Sequence, residues 1–113
     1  MKRIVGLCLI IGFCESGFCA GYVAKQLITY MKNCKICHGP AYKGAAMQTA
    51  DEWTALFENN AEALKRLHSQ NPSAMEVFNS QRFHHDAPDM VKFLKANSSD
   101  SGAVRSCDGL NCG

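Results

Sequence analysis

The chain has 113 residues, including seven cysteines and four histidines, and twelve Lys and Arg against ten Asp and Glu leave a formal charge of +2. So even a balance excludes any strong electrostatic preference for nucleic acid or membrane, and docking to a partner must use a local patch instead of net charge. The length suits one domain with a modest core.

Met1-Lys2-Arg3 followed by the apolar run Ile4 to Phe13 has the charged and hydrophobic parts of a secretory signal and is too short to span a bilayer. The expected boundary is residues 1–20. Phe18 is bulky for a cut after Ala20, and cuts after Cys19 or Gly21 obey the small-residue rule better. A lipid-anchored cysteine at Cys14 or Cys19 is the weaker reading, because Phe13 and Phe18 stand before them. Without the leader, Lys2, Arg3 and Glu15 are gone and ten basic groups face nine acidic ones, a charge of +1.

From Tyr22 to Asn33 the residues Val23, Leu27, Tyr30, Met31 and then Cys34 recur at three- and four-residue spacing, which predicts a helix running into Cys34-Lys35-Ile36-Cys37-His38. A Cys-x-x-Cys-His run is the attachment site of a covalently bound haem. On a helical turn, thiols three residues apart leave from the same face and can reach one porphyrin edge, and the next residue, His38, lies under the iron as its proximal ligand. The competing readings are a dithiol redox pair and half of a zinc site. The first lacks a βαβ frame, and the second lacks another ligand pair at finger spacing, since Cys107 and Cys112 are distant.

Export and haem attachment agree, because bacterial attachment of this kind takes place outside the cytoplasmic membrane; the expected location is the periplasm. The cysteines divide accordingly. Cys8, Cys14 and Cys19 go with the leader, Cys34 and Cys37 hold haem c, and Cys107 and Cys112 remain as a pair free to oxidise.

Gly39-Pro40 ends the motif helix, and Ala41 to Gln48 reads as a loop with Gly44 as a flexible point. Pro40 or a neighbour offers a carbonyl that could orient His38. Thr49-Ala50-Asp51-Glu52 is a capping box before an amphipathic helix of four to five turns, with Trp53, Leu56, Phe57, Leu64 and Leu67 on its inner face. Asn71-Pro72 breaks this helix, and Pro72 opens a short one through Met75, Val77 and Phe78. The stretch from Phe83 to Pro88 reads as a second break, with Asp86 the N-cap of a last helix that reaches Asn97 and places Met90, Val91, Phe93 and Leu94 in the core. No stretch alternates like a strand, so the fold class is all-α.

The helix into Cys34-Lys35-Ile36-Cys37-His38-Gly39, the intervening helices and a closing helix with Phe93-Leu94 resemble the single-haem class I cytochromes c, over roughly residues 22–97. The resemblance implies a small helical cage in which the first and last helices cross beside one haem, and a carrier that passes single electrons between respiratory partner proteins. It also implies a methionine on the far side of the iron. Met75 has about the family's separation from His38, although it lacks the usual Met-Pro step and would also serve as a core residue beside Phe78. His84 or His85 would give bis-His ligation instead; His68 and Met47 rank lower, and Met90 reads as core.

Residues 98–113 turn polar and small and read as a flexible tail closed by a Cys107/Cys112 hairpin disulfide around Asp108-Gly109. A redox dithiol or a metal site is the sharper alternative there. The domain expected between leader and tail, residues 21–97, is then a periplasmic one-electron carrier and not an enzyme. It is monomeric, with peripheral membrane contact at most and no nucleic-acid partner. The rival expectations are a haem-based small-ligand sensor with an open iron position, and a non-haem zinc or structural protein.

Overall fold

The computed structural model describes residues 16–102, so residues 1–15, most of the expected leader, and residues 103–113, with the Cys107/Cys112 pair, lie outside the described residues. Six helices follow one another, α1 (Ser16–Asn33), α2 (Lys35–His38), α3 (Ala41–Ala45), α4 (Ala50–Leu67), α5 (Pro72–Phe78) and α6 (Gln81–Ala96), and no strand is present among the described residues. The protein is all-α. No described helix is long and apolar enough to cross a membrane.

The first and last helices form the most extensive packing pair, and α4 lies against α6. Tyr30, Phe83, Met90, Phe93 and Leu94 are almost completely withdrawn from solvent, and Trp53, Leu64 and Phe78 complete the core from α4 and α5. Tyr30 meets Phe93 with ring centres 6.0 Å apart, and Tyr42 of α3 meets the same ring at 5.6 Å. Aromatic pairs at these tilted angles add to what burial alone provides.

Three expectations about local structure are corrected. The first concerns Ala41 to Gln48, which is not a loop: Ala41–Ala45 form a helix whose Ala41, Gly44 and Ala45 are buried. Gly44 provides no flexibility. It is there because the ring of Tyr30 lies against it, and a Cβ at that position would overlap the Tyr30 hydroxyl.

The second correction concerns the last helix, which starts at Ser80 and not at Asp86. The Ser80 hydroxyl accepts the Phe83 N–H at 3.2 Å, and the helix continues through Pro88. A proline inside a helix removes the hydrogen bond to the carbonyl four residues earlier. That carbonyl belongs to His84, an exposed residue, so water can take the place of the missing donor. Asp86 is instead one of the few buried charged groups, 6% exposed.

The third lies in α4. Its capping box forms as read, with the Glu52 N–H donating to the Thr49 hydroxyl at 3.2 Å and the Thr49 N–H donating to the Glu52 carboxylate at 2.8 Å. The helix is not continuous, however: Glu58 is extended, and Asn59, Asn60 and Ala61 all have φ between 51° and 59°. Asparagine tolerates this left-handed region better than most residues, and the Asn-Asn pair is where the chain turns. The interruption rotates the second half of α4. Ala61 and Leu64 point inward, while Leu67, expected on the inner face, is 70% exposed.

The tail also begins later than its composition suggests. Asn97 and Ser98 are buried, the Ser99 N–H donates to the Gln48 carbonyl at 3.0 Å, and the Asp100 carboxylate accepts the Ala50 N–H at 2.9 Å. Residues 97–100 therefore clasp the entry to α4.

Candidate functional site

The motif residues sit where α1 gives way to a single further turn. The helical ladder of α1 reaches Cys34, whose N–H donates to the Tyr30 carbonyl at 2.8 Å, and restarts as α2, where the Cys37 and His38 N–H groups both donate to the Cys34 carbonyl. One turn of helix thus carries both cysteines and the histidine, as their spacing requires. Gly39 ends it at φ 73°, a conformation that glycine adopts without cost, and its N–H donates to the Lys35 carbonyl at 2.8 Å. The Tyr30 hydroxyl donates to the Gly39 carbonyl at 3.2 Å, so the core fastens the end of the motif.

Cys34 and Cys37 carry free thiols in unlike surroundings. Cys34 is packed against the core, with its Sγ 3.6 Å from the Sδ of Met90, and burial followed by the nearby Cys37 pushes its pKa up to about 12. Cys37 is exposed. Burial thus disfavours the thiolate form of Cys34.

Beside the motif the structure places a residue ranked low in the sequence. The ring of His38 meets that of His68 edge-on, with centres 5.9 Å apart and planes at 85°. His68 is the C-cap of α4. Its Nδ1 is 2.8 Å from the Leu64 carbonyl, and Phe78 of α5 packs edge-on against its ring at 5.0 Å. Partial burial, and after it the neighbouring His68, lower the pKa of His38. The neutral imidazole, the form that binds a metal, is thereby favoured.

No family model matches this chain, and neither a curated protein nor a solved structure matches it. The site is therefore read from its own residues.

The remaining candidates lie elsewhere. Met75 is partly buried on α5 and packs against the hydrophobic core. His84 and His85 are exposed on α6: the His84 ring lies 5.9 Å from that of Phe83, and the Nδ1 of His85 is 3.1 Å from the carboxylate of Asp86. A cavity of about 260 Å³ is lined by Phe57, Asn60, Phe83, His84 and Pro88 among others, and none of the motif residues borders it. No group of three or more His, Cys, Asp or Glu side chains converges on a point among the described residues. The pairing of His68 with His38 could not be read from spacing, because it depends on the left-handed interruption at residues 59–61 and on the short α5 folding back.

Proposed function

We propose that this chain is a small periplasmic carrier of single electrons, with one haem c bound through Cys34 and Cys37 and ligated by His38. The observation that carries the reading is one helical turn bearing both free thiols and the His38 imidazole at the end of a helix packed against the last one. The donor set fits the group: two thiols three residues apart would add to the vinyl groups of one porphyrin as thioethers, and the adjacent His38 imidazole would ligate its iron. Bound there, haem supplies an iron that alternates between the ferric and ferrous states.

Everything else falls to the protein. The α1 and α6 packing, the Tyr30 to Gly39 hydrogen bond and the close approach of Tyr30 to Gly44 tie the motif to the core. Redox partner proteins would dock where Cys37 and its neighbours reach the surface; Ile36 is 92% exposed. The two competing functions, a small-ligand sensor and a zinc or structural protein, differ from the carrier in what binds the purified molecule.

Intact mass and absorption spectra of full-length protein, secreted by a host that makes holocytochromes, test the proposal. One covalently added haem with a reversible one-electron titration is expected, and Cys34→Ser with Cys37→Ser should abolish attachment. Haem-free protein with both thiols alkylatable would overturn it, and ready CO binding by the ferrous form would turn the assignment toward a sensor.

A further inference from the structure

We infer that His68 is the second axial ligand of the haem iron, making this a bis-histidine carrier and not a His/Met one. The inference rests on the haem reading above and concerns the other side of the same site.

Three observations carry it. The first is separation. Two imidazoles sharing one metal ion, each bound at about 2 Å, have ring centres roughly 6 Å apart, and the rings of His38 and His68 are 5.9 Å apart. The second is orientation. The Nδ1 of His68 lies 2.8 Å from the Leu64 carbonyl, which can only accept, so Nδ1 carries the proton and Nε2 keeps the free lone pair. Metal-bound histidines are oriented in this way by a carbonyl behind the ring.

The third observation is surface chemistry. Leu67, the neighbour of His68 in the chain, and Ile36, within the motif, are 70% and 92% exposed. These exposed apolar side chains, one or two residues from each histidine in the chain, are surface that a porphyrin would cover.

His68 is also held in place. It caps α4 immediately after the segment that the left-handed residues 59–61 re-aim, and Phe78 fixes its ring from α5. Met75, the first choice on spacing, is on that same α5 but packs against the hydrophobic core. The functional consequence is a lower reduction potential than that of a His/Met cytochrome, because a thioether favours ferrous iron and imidazole does not. The carrier would exchange electrons with partners at the reducing end of a respiratory chain.

The experiment compares holoprotein of wild type, His68→Ala, His68→Met and Met75→Ala, with haem attachment checked by intact mass in each. Wild type and Met75→Ala should be low-spin and inert to CO. His68→Ala should turn high-spin and bind CO, and added imidazole should restore the low-spin spectrum, which a merely misfolded variant would not allow. His68→Met should keep six ligands, gain a sulfur-to-iron charge-transfer band and shift the midpoint potential upward. A low-spin, CO-inert His68→Ala, or a Met75→Ala that opens the iron, overturns the assignment while leaving covalent haem intact. Absence of covalent haem in the wild type overturns the underlying reading instead.

Discussion

Asn33, the last residue of α1, donates its side-chain N–H to the buried carboxylate of Asp86 on α6 at 3.0 Å, a bond between residues 53 positions apart. The same amide nitrogen donates to the Thr29 carbonyl at 2.8 Å, and the second carboxylate oxygen is 3.1 Å from the Nδ1 of His85. This bond ties the first and last helices together one residue before the Cys34–His38 motif. Burial by itself would raise the pKa of Asp86, but hydrogen bonds from His85 and Asn33 and the charge of Lys32 outweigh it and bring the carboxyl below its ordinary 3.8. A carboxylate with a depressed folded-state pKa stabilises the fold above its unfolded value, and that contribution is lost as pH falls through the folded value. The melting temperature of wild type should therefore drop as pH falls below about 3.8. Asp86→Asn should lose about 1.5–3 kcal/mol at neutral pH and flatten that part of the profile. Thermal denaturation across acidic pH, monitored by circular dichroism, provides the measurement.

Gly44 admits no side chain. The substitution Gly44→Ala should force Tyr30 or α3 to shift and cost about 1–3 kcal/mol, although alanine is the better helix former. Urea denaturation measures the loss. A neutral or stabilising effect would show that Tyr30 and α3 separate easily. Tyr30→Phe should cost less, about 1 kcal/mol, by removing the hydrogen bond to the Gly39 carbonyl.

At the start of α4 two devices act together, the capping box of Thr49 and Glu52 and the Asp100 carboxylate brought from beyond α6. Thr49→Ala should cost about 1 kcal/mol. If Asp100 supports the same helix entry, truncation before Ser98 should lower the melting temperature, whereas truncation after Gly102 leaves this contact whole.

Pro88 interrupts the ladder of α6 at a solvent-facing position. Pro88→Ala restores an N–H that can donate to the His84 carbonyl, and the variant should be more stable by roughly 1–3 kcal/mol. Slower amide exchange on either side of residue 88 would show where the gain arises.

Local chemistry was legible in the sequence wherever neighbours in the chain act on one another. The all-α class, the helix that delivers Cys34, the single turn from Cys34 to His38, the Gly39 stop, the capping box and the Pro72 start all depend on interactions within about four residues, and the structure has each of them where it was read. Three features depended on contacts between distant segments. Ala41–Ala45 became helical by burial against Tyr30, the last helix passed through Pro88 because its other face is held in the core, and Asp86 turned inward because Asn33 awaited it. The meeting of His38 and His68 belongs with these. Twenty-nine residues of chain lie between them, and the left-handed turn at residues 59–61 and the packing of Phe78 bring the two rings together. Spacing specifies what a residue can do with its neighbours, whereas the packing of the whole chain decides which distant side chain it meets.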